Sequence, residues 1–343
     1  MQDLLKLQQK VVPELMEVLD KRYNILRTIQ FNQPIGRRIL ANRLGLGERI
    51  VRSEINFLKD QNLIDIGVPG MTVTSEGDEI IEKLKDFIRE LKGLSQLEQF
   101  IQENLKIKKV IIVSGDAEED ATVMNELGRT AAKYLESIIK DNSIIAVTGG
   151  KTIKVVIDNF HYKLQFRNSI VVPARGGMGK NVGIEANTLV EKLANKLGAS
   201  YRLLHVPENL SDIAFTTIRN EKSIKEIRDI LHSANYVIYG IGRADDMSIR
   251  RGIVQDKIDN ILEKGAVGEA FGYYFNSEGQ VVDSTPSIGL TIEEVKNAEY
   301  LLAVAAEKSK AEAIVATEIG NTKGVLVTDE GTAREIIKVL SKN

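Results

Sequence analysis

Residues 143–160 read SIIAVTGGKTIKVVIDNF, and the fold turns on them. Ile144 to Val147 form a short apolar run of the kind a buried strand shows, Gly149 and Gly150 interrupt it, and Thr152 to Phe160 continue as an amphipathic helix. The same unit recurs on either side. KKVIIVSGD (108–116) precedes a helical stretch from Ala121 to Lys140, and SIVVPARGG (169–177) precedes another from Ile184 to Leu197. YRLLHVP (201–207), NYVIYGIG (235–242), EYLLAVAA (299–306) and GVLVTDEG (324–331) predict further strands. Apolar strands alternating with helices predict a doubly wound, mostly parallel α/β domain, whose ligands sit beyond the carboxyl ends of the strands. No repeat of fixed period and no low-complexity segment appears.

Several of those strand ends carry glycine beside a cation. In VTGGKT (147–152) two glycines open a helix, so backbone can approach an anion and the first-turn amides and helix dipole favour negative charge. Lys151 and Thr152 add a counter-charge and a hydroxyl. A nucleotide-hydrolysing loop of the G-x-x-x-x-G-K-[ST] type needs glycine at Ile145, which disfavours that chemistry. In VPARGGMGK (172–180) Arg175 stands beside Gly176, Gly177 and Gly179, and a guanidinium among open amides suits a bidentate phosphate contact. Either loop alone also reads as a tight turn between strand and helix. Together they share one edge of a parallel sheet, and convergence on one anion follows. GIGRADDMSIRRG (240–252) offers Arg243 and Arg250, and VAAEKSKAEA (304–313) offers Lys308 and Lys310; surface charge is the alternative for both. FGYYF (271–275) gathers aromatics near Glu269, either a carboxylate for sugar hydroxyls or an aromatic core with a capping acid. His161, His205 and His232 are too scattered for a metal set, so no metal is expected, and neither HExxH nor GxSxG occurs.

The amino-terminal third differs in charge. Lys21 to Lys59 holds nine bases and two acids, a local charge of +7 in a chain whose total is −2. Such a window makes a phosphate-facing surface or a solvated helix face. PIGRRILANRL (34–44) predicts a helix with Ile35, Ile39, Leu40 and Leu44 inward, followed by a Gly45-Leu46-Gly47 turn. ERIVRSEINFLKDQ (48–61) predicts a second helix with Ile50, Val51, Ile55 and Leu58 inward and Arg49, Arg52, Asn56 and Lys59 on another face. Leu63 to Ile66, a turn at Gly67-Val68-Pro69-Gly70, and Met71 to Thr74 complete a hairpin. Helix, turn, helix, hairpin is a winged helix-turn-helix. In that motif the second helix reads the major groove while the first helix and wing hold phosphates. Arg49, Arg52, Ser53 and Asn56 are the candidate base readers, and Arg37, Arg38 and Arg43 the backbone contacts; a compact helical domain that binds protein is the alternative. EGDEIIEKLKDFIRELKG (76–93) reads as a linker helix.

A length of 343 residues suits two or three domains at roughly 100–200 residues each. We expect a DNA-binding domain with its linker helix over residues 1–92 and an effector domain over 93–343. Hydrophobic residues at 43% and charged residues at 27% exclude global disorder. The absence of cysteine excludes disulfides, a thiolate nucleophile and Cys-ligated zinc, and fits the cytoplasm. Neither a signal peptide nor a membrane span is expected. Leu4 to Leu19 and the Gly77 to Lys92 helix are candidate contacts of a homo-oligomer, dimer or tetramer, with ordinary core packing as the alternative.

QPIGRRIL, ERIVRSEINFLKDQNLIDI, IIVSGD, AVTGGKTI, VPARGGMG, YRLLHVP, GEAFGYYFN, KAEAI and VLVTDEG, in that order, resemble the SorC family of sugar-responsive transcription regulators essentially end to end. The resemblance implies a winged-helix DNA-binding domain and an effector domain akin to the sugar-phosphate isomerase and deaminase fold with catalysis lost. It also implies a repressor of glycolytic genes, released from double-stranded operator DNA by fructose 1,6-bisphosphate, with no cofactor. Carried onto matching positions, Gly149, Gly150, Lys151 and Thr152 hold one phosphate, with Arg175, Gly176, Gly177 and Gly179 close by. Arg250, Glu269 and Lys310 complete the sugar and second-phosphate site. One departure is visible: the family loop is GGTT, and Lys151 stands for its first threonine. The rival expectation is a sugar-phosphate isomerase or deaminase with a regulatory amino-terminal domain, which lacks a convincing acid and base pair among the loop residues.

Overall fold

The computed structural model describes residues 10–161, 165–177, 179, 181–208, 210–285 and 287–342. Met178 and Lys180 of the second glycine loop, and residues 4–9 of the expected oligomer segment, lie outside the described residues. Packing divides the chain into two units, Met1–Gln96 with Glu119–Thr122, and Leu97–Glu118 with Val123–Asn343.

The first unit runs α1 (Pro13–Asn32), α2 (Arg37–Leu44), α3 (Glu48–Asp60), β1 (Ile64–Gly67), β2 (Gly70–Val73) and α4 (Ser75–Leu91). Leu26 and Ile29 of α1, Leu40 of α2, Val51, Ile55 and Leu58 of α3, and Ile81 and Ile88 of α4 share one apolar core. α2 ends on Gly45, whose φ of +60° is the left-handed cap the turn requires. β1 and β2 pair antiparallel, Gly67 opposite Gly70 across Val68-Pro69, which is a wing. Helix, turn, helix and hairpin are all present.

Two details of that unit differ from expectation. α2 starts at Arg37, because Ile35 instead pairs with Met71 as a third strand position, with backbone bonds of 3.1 and 2.8 Å. A Cβ at Gly70 would lie 2.8 Å from the Ile35 carbonyl, so that pairing needs glycine there. Ile39 and Ile50, expected inward, are 57% and 47% exposed. The inward stripe of the shortened α2 is Leu40 and Ala41, and that of α3 is Val51, Glu54, Ile55 and Leu58. Ile39 and Ile50 each precede the first residue of their stripe and fall outside it.

The second unit begins with α5 (Leu94–Leu105), β3 (Lys109–Val113), α6 (Ala121–Ile138), β4 (Ile144–Val147), α7 (Lys151–Asp158) and β5 (Ile170–Pro173). Next come α8 (Ala186–Leu197), β6 (Ser200–Tyr201), α9 (Asp212–Asn220), α10 (Lys222–His232), β7 (Tyr236–Tyr239), β8 (Gly242–Arg243), α11 (Ala244–Arg250) and α12 (Gln255–Glu263). It closes with β9 (Ala266–Ala270), β10 (Tyr273–Asn276), β11 (Val281–Ser284), α13 (Ile292–Asn297), β12 (Tyr300–Val304), α14 (Ala311–Glu318), β13 (Gly324–Asp329) and α15 (Glu330–Leu340). Seven strands form a parallel sheet in the order β3-β13-β12-β7-β4-β5-β6. Ile145, Val147, Ile153, Val156, Ile238 and Val304 belong to its core. The chain winds from β4 outward to β6, then returns to β7 on β4's other side. That reversal places a crevice beyond the carboxyl ends of β4 and β7.

The expected doubly wound α/β domain is therefore present, with one addition and one shortening. β8 to β11 form a separate antiparallel sheet, order β11-β10-β9-β8, over the stretch read only as an aromatic cluster. YRLLHVP contributes only Tyr201 to the parallel sheet, in the two-residue strand Ser200–Tyr201. Its later residues leave that sheet, and Pro207 bridges Gly177 instead.

Candidate functional site

The nine bases of the amino-terminal window divide into two groups. Lys21 Nζ and Arg22 Nε donate to Glu54 at 2.7 and 2.8 Å, and Arg22 lies 3.6 Å from the centre of the Phe57 ring. Burial favours the neutral form of Glu54, yet the hydrogen bonds and charges of Lys21 and Arg22 hold its carboxyl below the usual range. Arg27 is buried 3.5 Å from Asp120. Those three bases serve the core of the unit. Arg37, Arg38 and Arg43 on α2, and Arg49, Arg52 and Lys59 on α3, are exposed, as are Ser53 and Asn56. The exposed pair Arg38–Glu48, at 3.5 Å, constrains little. α3 thus buries one apolar stripe and presents guanidinium and amide groups, the side chains whose geometry matches guanine and adenine edges. β1 and β2 carry no Lys or Arg, and Val68 at the wing tip is fully exposed.

In the second unit, β4 delivers Gly149 and Gly150 to the crevice. A Cβ at Gly149 would sit 2.8 Å from the Ile184 carbonyl, and Gly150 adopts φ +128°, a conformation side-chain-bearing residues rarely take. Gly150 donates its N–H to that same carbonyl at 2.9 Å. The first helical bond of α7 runs from Lys154 N to Gly150 O at 3.0 Å. The amides of Lys151, Thr152 and Ile153 therefore have no acceptor within the helix and, with the dipole, form an anion-favouring end. Lys151 is exposed and Thr152 half-buried.

β5, next to β4, delivers Arg175, which is buried despite its charge. Its Nε lies 3.0 Å from Glu208 Oε1 and its Nη1 3.7 Å from Glu269 Oε1. None of its three nitrogen atoms is aligned as a hydrogen-bond donor on an acceptor among the described residues. Burial, then the neighbouring Arg251, lowers the affinity of this guanidinium for its proton. Arg251 donates to Glu208, and to Glu269 at 2.8 Å. Burial works against the Arg251 charge, but the Glu269 and Glu208 carboxylates outweigh it and raise its pKa above the usual arginine value. Glu269 reaches the cluster because β9 pairs with β8, Gly242 opposite Glu269, and the Gly272 N–H also binds it. Glycine surrounds the cluster: a Cβ at Gly272 would overlap the Arg175 guanidinium, and Gly176 meets the Val206 carbonyl.

The remaining expected positions are spread. Glu307 follows the end of β12 with φ +96° in a residue that is not glycine, a strain of order 1–3 kcal/mol of the kind that collects at working sites. Lys310 Nζ bonds its carboxylate at 3.2 Å, and Lys308 reaches Asp116 at 2.5 Å. Arg250 lies on the exposed side of α11 and pairs with Asp246 at 2.8 Å. Gly177 donates to the Val206 carbonyl at 3.0 Å, and Gly179 has φ +71° with open space around it. Sequence reasoning passed over Glu208 and Arg251. A signal existed for Arg251: Ala244, Ser248 and Arg251 recur at helical spacing and are all buried, whereas Arg250 is out of phase. Among the described residues no group of three or more His, Cys, Asp or Glu side chains is disposed to hold a metal, and no helix is long and apolar enough to cross a membrane.

Comparison with known proteins bears on both units. Residues 18–88 match the family model described as "CggR N-terminal DNA binding domain", and residues 89–338 match that described as "Putative sugar-binding domain". The chain is 43% identical to the central glycolytic genes regulator of Priestia megaterium, over 98% of this chain and 99% of the relative. It is 41% identical to the protein of the same name in Bacillus subtilis, over 98% and 99%. Among solved structures, the "putative SorC family transcriptional regulator" from Enterococcus faecalis matches with a TM-score of 0.66 at 36% identity, over 71% of this chain and 99% of that one. The full-length sorbitol operon regulator SorC of Klebsiella pneumoniae matches with a TM-score of 0.65 over 93% and 99%; at 18% identity it speaks for the fold alone. These relatives are named as regulators, not enzymes.

Proposed function

Since the chain belongs to the central glycolytic genes regulators of the SorC family, we propose that it is a repressor whose grip on operator DNA is released by fructose 1,6-bisphosphate. Residues 1–92 are the DNA-binding domain and 93–343 the effector domain. In the first, Arg49, Arg52, Ser53 and Asn56 read base edges and Arg37, Arg38 and Arg43 hold phosphates. In the second, the α7 amino terminus with Gly149, Gly150, Lys151 and Thr152 takes one phosphate, beside Arg175, Gly176, Gly177 and Gly179. Arg250, Glu269 and Lys310 take the sugar and the second phosphate. The protein acts in the cytoplasm as a homo-oligomer, a dimer or tetramer; Val11, Val12 and Leu15, exposed near the start of α1, support an apolar contact with a second copy.

The observation that carries the ligand reading is Arg175: a buried guanidinium with no aligned acceptor, just past the end of the strand next to the one that feeds the glycine-opened helix. Two oxygens of a phosphate can accept the paired N–H bonds of such a planar guanidinium. Mechanistically, the sugar must bind the weak-DNA state better than the strong-DNA state. A ~10-fold to 150-fold loss of operator affinity requires a coupling of about 1.4–3 kcal/mol, within reach of one dianion's contacts. The test is fluorescence anisotropy on DNA from upstream of glycolytic genes, titrated with fructose 1,6-bisphosphate, fructose 6-phosphate, glucose 6-phosphate and dihydroxyacetone phosphate. Selective release by the bisphosphate is expected. Indifference to all four contradicts the proposal, and chemical turnover of any of them restores the enzyme reading.

A further inference from the structure

Arg175, Glu208, Arg251 and Glu269 are each at most 6% exposed at the side chain, and their charges cancel two against two. A neutral buried cluster has no net attraction for an anion. If a phosphate dianion settles on Arg175 while both carboxylates stay against that guanidinium, one buried cation faces three anions. One carboxylate must give way. Glu269 is poorly suited to do so: it sits on a strand paired on both sides, and Arg251 and the Gly272 N–H hold the same oxygen that faces Arg175. Glu208 is suited. It lies outside the strands, its two oxygens are divided between Arg175 and Arg251, and its Arg175 contact is close at 3.0 Å but not aligned as a hydrogen bond. Its backbone N–H is tied to the Gly177 carbonyl at 3.0 Å, so the side chain can turn without the loop leaving its place.

We propose that Glu208 is an internal competitor for the ligand: its carboxylate occupies Arg175 until a phosphate displaces it onto Arg251. The exchange trades one anion for another at the same guanidinium and keeps Glu208 compensated by Arg251 throughout. Glu208 thereby sets the ligand concentration at which the protein responds, without touching the ligand. This rests on the reading of Arg175 as a phosphate contact, and the same experiment separates the two.

Isothermal titration calorimetry of fructose 1,6-bisphosphate into the full-length protein is the measurement, with a thermal melt by circular dichroism to establish folding. Glu208→Gln removes the competing charge and tightens binding about tenfold, the scale of one charge-assisted contact. Glu208→Asp, one methylene shorter, keeps the charge but draws it back from Arg175, and gives a smaller gain. Damage to a merely structural residue weakens binding, so a gain is diagnostic. Arg175→Met abolishes binding. If Arg175→Met loses binding while the folded Glu208 variants bind as wild type or more weakly, the competitor role is wrong and the Arg175 assignment stands. If Arg175→Met binds as wild type, the Arg175 assignment itself falls.

Discussion

Glu318 shows what a single buried side chain does to this protein. It is fully buried; Tyr239 Oη donates to one oxygen at 2.6 Å and Asn321 Nδ2 to the other at 3.1 Å, with no cation in the set. Burial pushes its pKa up to about 7 from an ordinary 4.5, the two hydrogen bonds only partly opposing it. The folded state then holds a proton that the unfolded chain has lost between those values. Stability falls as pH rises from about 4.5 to about 7, by up to about 3 kcal/mol, and stays lowered above. Glu318→Gln removes the ionisation; its amide oxygen can still accept from Asn321 Nδ2, while its NH2 donates to Tyr239 Oη, whose hydroxyl turns to accept. Thermal melts of the two proteins should nearly coincide at pH 5, with the variant melting about 5 °C higher at pH 8. A wild type that melts alike at both pH values, relative to the variant, contradicts this. Nothing in the local sequence announces Glu318, because its burial depends on Tyr239, which lies 79 residues earlier. Arg251 is the opposite case, legible from helical phase once Ala244 and Ser248 are taken as the inner face.

Elements were more legible than residues. The apolar strands beside amphipathic helices predict the parallel sheet because strands buried on both faces need continuous apolar side chains. β8 to β11 escaped because short antiparallel strands such as Tyr273–Asn276 have no period long enough to separate from an aromatic cluster. The inner face of α3 was legible except at Ile50, which is exposed, and Glu54, which is buried, and the expected polar face proved exposed throughout. Arithmetic on charge misled in one respect, since Lys21, Arg22 and Arg27 are engaged within the unit while six other bases face outward. α3 also carries a prediction. Asn56→Ala should cost about 1–3 kcal/mol of operator binding and relax the preference at one base pair, whereas Arg38→Ala should weaken binding to all sequences alike and lower the salt slope by about 1. Competition assays with single-base operator variants, run at several salt concentrations, distinguish the two. Equal behaviour of both variants would remove the division into base readers and phosphate contacts.

For the whole molecule, the two units are recognisable in one chain because each has its own pattern: a cationic helix-turn-helix with a hairpin, and a long alternation of strand and helix. Their identity as regulator domains was legible through resemblance. The joint role of Arg175, Glu208, Arg251 and Glu269 was not, because those residues meet only after β5, the loop beyond β6, α11 and β9 have folded together. The central claim is energetic coupling between operator and bisphosphate, and coupling is reciprocal. It is tested most directly by measuring the affinity of the full-length protein for fructose 1,6-bisphosphate with and without saturating operator DNA. Operator should weaken bisphosphate binding by the same factor by which bisphosphate weakens operator binding, on the order of 10-fold to 150-fold. Identical bisphosphate affinity in the two conditions would contradict the account.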